Sequence, residues 1–254
     1  NSNFNSANSA AATNAPSNTA APAAIAEAKE PEKYQAVVRL QLEALGGQQN
    51  AAIPTIAATV ARNGEDRRME FSLPNGEKVV YLDTVGSNYI ILPNRRQFAE
   101  LTRESLGFDV RRMLMPEQIV NQVRNVRGME RVGEETVNGR PVVKYRYSAS
   151  AQTGTRAGDV GTESFLLIDA ETGLPLRSET VSQSQSGGNV QGYKGLKIVT
   201  EMSDITMNPD PNMFTVPAEY ARIDPEQVKA QAELVFNAAA AFLGRAMQPP
   251  PAER

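Results

Sequence analysis

From Thr55 to Thr102 hydrophobic and polar side chains take turns along the chain. Ile56, Ala58 and Val60 alternate with Thr55 and Thr59, and Met69, Phe71 and Leu73 alternate with Arg68, Glu70 and Ser72. Val80 and Leu82 follow the turn Pro74-Asn75-Gly76, and Tyr89, Ile90, Ile91 and Leu92 follow Gly86-Ser87-Asn88. Successive side chains on a strand point to opposite faces, so a period of two predicts a sheet with one apolar and one charged face. The apolar face needs a second sheet, a helix or a bound lipid over it, and which of these covers it bears on function.

The same pattern extends in both directions. Between Tyr34 and Leu45, Val38, Leu40 and Leu42 alternate with Arg39, Gln41 and Glu43, and Gly46-Gly47 ends the run. Hairpin signals recur at Asn63-Gly64, Asn75-Gly76, Asn94-Arg95-Arg96, Asn138-Gly139, Asp169 to Gly173 with Pro175, and Gly187-Gly188-Asn189. Counting the runs between them gives about eleven strands. Two segments depart from the period. One holds Leu106, Phe108, Met113, Leu114 and Met115, then Pro116-Glu117 and a stripe at Ile119, Val120, Val123 and Val126, the spacing of a short amphipathic helix. The other has Asp224 as an N-cap, Pro225 at the first helical position, and Val228, Ala232, Val235, Ala239 and Phe242 on one face, with Gly244 as a stop.

These elements predict an α+β chain, mainly antiparallel β: one strongly curved half-barrel of about eleven strands covered by a few helices. The expected domain is 31–223 with a lid at 103–127, followed by a C-terminal helix at 224–247 and a frayed, proline-rich tail at 248–254. Residues 1–30 open with Asn, Ser, Ala, Thr and Pro, a composition that buries too little apolar surface to order itself, and read as a disordered polar tether. The chain begins at Asn1 without Met, charged n-region or apolar h-region, which suggests a processed or shortened form. A polar leader of this kind commonly separates a lipidated cysteine from the folded part of an exported bacterial protein. That reading expects a periplasmic location and attachment to a membrane surface through an N-terminal lipid anchor. A plain tail with no anchoring role is the alternative.

Composition removes several function classes. The 254 residues contain no His, no Cys and no Trp, which excludes the commonest zinc sites and Cys/His or Ser/His nucleophilic catalysis. A formal net charge of −3 argues against nucleic acid as a partner. No apolar run reaches the roughly 20 residues that cross a bilayer as a helix. Asp159, Glu163, Asp169 and Glu171 form a small acidic group, but the spacing of a calcium loop is missing and Asp169 to Gly173 reads as turn chemistry. No enzymatic activity and no cofactor are expected.

At this point the residues resemble a family. Arg62-Asn63-Gly64-Glu65-Asp66-Arg67-Arg68-Met69-Glu70-Phe71, then Val80-Tyr81-Leu82-Asp83 and Tyr89-Ile90-Ile91-Leu92-Pro93, are similar to the "basic-x-G, x-R-x-E, tyrosine, LP" progression of the LolA-like superfamily of lipoprotein-sorting proteins. Ser164-Phe165-Leu166-Leu167-Ile168-Asp169-Ala170-Glu171-Thr172-Gly173-Leu174-Pro175-Leu176-Arg177 resembles its "W-I-D-x-x-T-G-L-P-x-R" hairpin, and Ile205 through Phe214-Thr215-Val216-Pro217 its closing segment. The similarity runs from about Tyr34 to Ile223 and consists of turn and strand punctuation, which specifies fold better than ligand. It implies a half-barrel around a hydrophobic cavity under a helical lid. Members of the family carry lipoproteins across the periplasm, move glycolipids, or sense envelope stress.

The candidate lipid-binding residues are therefore Met69, Phe71, Leu82, Ile91 and Phe98 on the strands, and Phe108, Met113, Met115, Ile119 and Val123 in the lid. Flexible methionine suits an adaptable acyl contact, although each of the ten fits a solid core equally well. Arg95-Arg96 and Arg111-Arg112 offer guanidinium groups to lipid head groups, or are solvated loop charges. Two functional readings follow. One is a non-enzymatic lipoprotein that binds a lipid or an acylated protein for transport or sorting. The other is a regulatory envelope-stress module with a membrane or protein partner.

Overall fold

The computed structural model describes residues 28–46, 51–52, 55–72, 75–101, 117, 120–121, 128–152, 156–189, 192–224 and 226–227. Its strands are β1 (Lys33–Leu45), β2 (Ala51–Ala52), β3 (Ile56–Asn63), β4 (Asp66–Ser72), β5 (Lys78–Thr84), β6 (Ser87–Leu92) and β7 (Gln97–Leu101). Past the 102–127 stretch come β8 (Glu130–Val137), β9 (Arg140–Gln152), β10 (Asp159–Asp169), β11 (Pro175–Ser184), β12 (Gly195–Thr206) and β13 (Ala221–Arg222). All thirteen belong to one sheet of order β13-β7-β6-β5-β4-β3-β1-β12-β11-β10-β9-β8, with β2 paired only to β1. The sheet is curved and does not close. Every pairing is antiparallel except that of β13 with β7. The two strands beyond the expected eleven include β2 and β13, which at two residues each carry no readable period.

The path of the chain explains the half-barrel. It starts in the middle at β1, walks outward to β7 at one side, re-enters at β8 on the opposite edge, and walks back until β12 pairs with β1. The residues between Leu101 and Glu130 therefore join opposite sides of the sheet. Hairpins make the turns: at Asn138-Gly139 both central residues have positive φ, 51° and 78°, which a two-residue type I′ turn demands. Bulges bend the ladder where Arg131/Gly133, Leu167/Ile168 and Gln35/Val37 slip register against their partners. Exposed Glu130, Arg131, Glu134 and Glu135 on edge strand β8, together with its bulge, discourage a foreign strand from adding there.

Alternate hairpins fall at opposite ends of the sheet. The entry end holds the start of β1 and the β3–β4, β5–β6, β8–β9 and β10–β11 turns. The exit end holds the β4–β5, β6–β7, β9–β10 and β11–β12 turns. Few described residues are helical: Glu117, Val120 and Asn121, Glu226 and Gln227, and the 3-10 turns Pro93–Arg95 and Pro211–Phe214. The expected cap forms, with Asp224 Oδ1 accepting from the Glu226 N–H at 2.9 Å. Most of the expected lid at 103–127, and the C-terminal helix after Gln227, lie outside the described residues.

Candidate functional site: the concave face

Directly opposed residues of an antiparallel pair share a face, so the register sorts the side chains. One face carries Tyr34, Ala36, Val38 and Leu40 of β1, then Val60, Ala58 and Ile56, then Met69 and Phe71, Tyr81 and Val79, Ile90 and Leu92, and Ala99. Across β12 to β9 it continues through Met202, Thr200 and Ile198, Ser178 and Thr180, Ser164 and Leu166, and Tyr145. Tyr34, Ala36, Val38, Val60 and Met69 are buried to within 1% and form one cluster with Tyr81, Ile90, Ala99 and Met202.

This face is the concave one. Glu117 pairs with Arg67 on β4, while Val120, one turn further on, packs in a cluster with Val143 and Tyr145 of β9 and Leu166 and Ile168 of β10. In a flat sheet the six strand spacings from β4 to β9 would put those partners about 29 Å apart. A single helical turn rises only about 5 Å, so the sheet must wrap around it.

The entry end of the concave face is sealed by charge. Glu30, arriving just before β1, accepts from Tyr34 Oη at 2.9 Å and pairs with Arg62 at 3.1 Å and Arg67 at 3.0 Å. Arg67 Nε also lies 3.1 Å from Glu117. Ala28 is fully buried and the Lys29 N–H donates to the Gly173 carbonyl, so the last residues of the stretch expected to be a tether dock against this end. Burial, reinforced by the Glu30 carboxylate, pushes the Tyr34 phenol well above its ordinary value. For Arg67 burial works against the charge, but Glu30 and Glu117 outweigh it and hold the guanidinium firmly protonated.

Among the described residues, the exit end is the less covered one. Ile56 is 42% exposed and Leu196, opposite Ala44, is 36% exposed, with half-buried Leu40, Phe71 and Val79 behind them. The wall differs in character on its two sides: apolar over β1 and β3–β7, hydroxyl-rich over β10–β12. There Thr162 bonds Ser182 at 3.0 Å and Ser164 bonds Thr180 at 2.9 Å across the ladder.

The convex face is charged over β9–β12, with Arg146 paired to Glu163 at 2.6 Å, Lys197 to Glu179 at 2.7 Å, and Arg177 to Glu201 and Glu179. Over β3, β5 and β6 it carries a buried apolar cluster, and the segment around the Pro211–Phe214 turn covers it. Ala61, Val80, Leu82 and Ile91 pack with Phe214, Met213 and Tyr220 there. Beside them is a shallow cleft of about 320 Å³ lined by Arg68, Glu70, Lys78, Val80, Asp210 and Tyr220. Burial raises the Glu70 carboxyl, but its bonds with Arg68 and Lys78 outweigh that and leave it below the ordinary value. The cleft is too open and too charged to hold a long acyl chain.

The structure thus divides the residues expected to line one cavity. Met69 and Phe71 lie on the concave face. Leu82, Ile91 and Phe98 lie on the convex face, because Leu82 opposes Arg68 and Tyr89, and Ile91 opposes Val80 and Phe98. Leu82 and Ile91 are packed under Phe214, and Phe98 meets Tyr89 edge to face at 6.2 Å. Phe108, Met113, Met115, Ile119 and Val123, with Arg111-Arg112, lie outside the described residues. Sequence reasoning missed Tyr34, Val60, Tyr81 and Ile90 as concave-face residues, and Glu30 as part of the seal. Their register with Met69 is the signal, and only strand pairing reveals it. Asp169 is structural: fully buried, it accepts from Thr172, the Glu171 N–H and Arg140. Burial pushes its carboxyl up, but those donors prevail and hold it below the ordinary value. Among the described residues no group of acidic side chains is arranged to hold a metal ion, and no helix is long and apolar enough to cross a membrane.

No family model and no curated protein matches the chain. Among solved structures, similarity is found to LprF from Mycobacterium bovis, at 12% identity over 74% of this chain and 90% of that one, with a TM-score of 0.39. An uncharacterised conserved protein from Thermus thermophilus is similar at 14% identity over 75% and 89%, TM-score 0.38. The lipoprotein LppX from Mycobacterium tuberculosis is similar at 10% identity over 69% and 88%, TM-score 0.35.

Proposed function

We propose that the chain is a non-enzymatic, LolA-like lipoprotein of the periplasm. It would hold a lipid, or the acyl chain of a lipoprotein, against its concave face for transport or sorting, with the polar residues ahead of Ala28 linking it to a membrane. One observation carries the reading: the concave face is an apolar floor sealed by ion pairs at one end and, among the described residues, less covered at the other, with Ile56 and Leu196 exposed there. Such a trough suits a guest that is long, apolar and free to enter end-on. Each buried methylene stabilises by about 0.8 kcal/mol, so a chain of about fourteen carbons gains roughly 11 kcal/mol on leaving water. A bilayer offers the guest the same gain, so the protein needs only to match that environment and does not need strong polar contacts.

On this reading the guest would rest against Met69 and Phe71, with Val38, Leu40, Ile56 and Val79 beside them. The test is native mass spectrometry of protein extracted gently from its producing cell, with thermal melts in the presence of added fatty acid. Bound lipid mass and a melting midpoint that rises with fatty acid are expected, since a ligand that binds only the folded state stabilises it. Absence of both would refute the reading.

A further inference from the structure

We propose that the exit end of the sheet is a docking surface for an anionic lipid bilayer, on which the protein stands with the mouth of its trough against the membrane. The inference rests on the carrier reading only for what passes through the mouth; the docking itself follows from charge placement.

Three exposed cations stand on three different hairpins at this end: Arg96 between β6 and β7, Arg156 between β9 and β10, and Lys194 between β11 and β12. None of the three has a carboxylate partner among the described residues; at this end Glu77 is taken by Arg95, and exposed Glu219 near Arg96 and half-buried Asp159 on the hairpin of Arg156 offset only part of their charge. Arg96 is exposed on a left-handed backbone, φ 52°, where its N–H closes the turn onto the Pro93 carbonyl. The Lys194 backbone is tied to Leu45 and Ser184, and the Arg156 carbonyl to Asn189, so the tips are braced against one another. Further along the arc, the Lys78 N–H is held by Asn94 of the β6–β7 turn, while its ammonium is paired with Glu70 at 3.2 Å. Exposed Ile56 and Leu196 lie among these cations.

The entry end has the opposite sign. Glu32, Glu65, Glu171 and Asp204 are exposed there against Lys29 and Lys33. Val85 and Met207 are also exposed at that end, but Val85 donates its N–H to Asp66 and Met207 follows Asp204 closely, so an anionic surface repels their surroundings. The whole chain carries a net charge of −3 and gains nothing from a non-oriented approach. Only with the exit end leading does attraction exceed repulsion, because the unfavourable charges are then held beyond the Debye length of about 10 Å at 0.1 M salt. Apolar side chains at the point of contact add burial in the head-group layer.

Each Lys or Arg close to such a surface strengthens binding about fivefold, so removing three should weaken it on the order of a hundredfold. The test is flotation of the full chain with phosphatidylcholine vesicles with and without phosphatidylglycerol. A triple variant, Arg96→Gln, Arg156→Gln, Lys194→Gln, is compared with Glu65→Gln, Glu171→Gln at the other end. Displacement of a fluorescent fatty acid is measured on the same samples in detergent-free buffer. Binding only to phosphatidylglycerol vesicles, lost at 1 M salt and in the triple variant but kept in the Glu variant, is expected. The triple variant's fatty-acid binding should be unchanged, which also reports that it is folded. Equal binding to neutral vesicles, no binding to either, or full binding by the triple variant would overturn the proposal; no binding to either would leave the basic end to an acidic protein. Vesicle docking without any fatty-acid binding would uphold the docking surface while refuting the carrier reading.

Discussion

Two large apolar side chains on neighbouring strands β4 and β5 should respond differently to the same substitution. Leu82 is fully buried on the convex face under Phe214, whereas Phe71 is half-buried on the concave face near the exit end. For Leu82→Asp, the lost side chain alone costs about 2–5 kcal/mol. The new carboxyl must also be buried or protonated, at several kcal/mol more. Together these match the 5–15 kcal/mol that keeps a typical domain folded, so the variant should not fold. For Phe71→Asp, about half of the 3–5 kcal/mol of a fully buried phenylalanine is at stake, and the carboxylate can reach water through the mouth. At about 2–4 °C per kcal/mol for a chain of this size, the melting midpoint should fall by roughly 4–8 °C and the sheet should survive. Acyl binding should nevertheless drop at least tenfold, because a charge now sits in the path of the guest. Far-ultraviolet circular dichroism with melting, and displacement of a fluorescent fatty acid, measure the two effects. A folded Leu82→Asp protein without acyl affinity, beside a Phe71→Asp protein that binds normally, would show that the two faces have been assigned the wrong way round.

Phe214→Ala should lower stability by about 3–5 kcal/mol and leave acyl affinity unchanged, because the ring covers only the convex cluster; urea melts and the displacement assay check it. Asp169→Asn should cost about 3 kcal/mol by leaving the Arg140 charge and the Thr172 turn without their acceptor. Because the folded pKa of Asp169 lies below the ordinary 3.8, its stabilisation is complete above about pH 4 and is lost as pH falls further; melts from pH 6 to pH 2 should flatten in the Asn variant. Tyr34 behaves with the opposite sign: its raised pKa stabilises below about pH 10 and the benefit disappears as pH rises through the folded value, so Tyr34→Phe should remove part of the alkaline unfolding.

The sheet itself was legible in the sequence because its turns are written in Asn-Gly and Asp-to-Gly signals and its strands in period two. The division of faces was not. Val79-Val80-Tyr81-Leu82 and Tyr89-Ile90-Ile91-Leu92 are continuous apolar runs, since these strands are buried on both sides, by the trough on one and by Phe214 on the other. Within such a run alternation disappears, and membership of a face depends on the partner strand: Met69 faces Tyr81, so Leu82 must point away. The segment that covers the convex cluster is a 3-10 turn some 130 residues downstream of Leu82, with no period to announce it. The seal was equally hidden. Glu30 follows a polar leader in sequence and looks like its last residue, yet Arg62 and Arg67 hold it because the β1–β3–β4 ladder places both guanidinium groups at the entry end.

The same ladder constrains what the trough can select. Charge on the concave face is concentrated at the entry end, where Arg62, Arg67, Asp83, Glu30 and Glu117 converge, and Arg67 is already engaged by two carboxylates. Along the hydroxyl side, Thr162 with Ser182 and Ser164 with Thr180 bond each other, which lowers the cost of having no guest present. An apolar floor and self-satisfied hydroxyls reject very little, so affinity for one acyl chain over another can come only from length and bulk. A methylene more or less changes binding by about 0.8 kcal/mol, roughly fourfold. Discrimination between whole lipids must then arise outside the floor, from the bulk that the exit end admits past exposed Ile56 and Leu196.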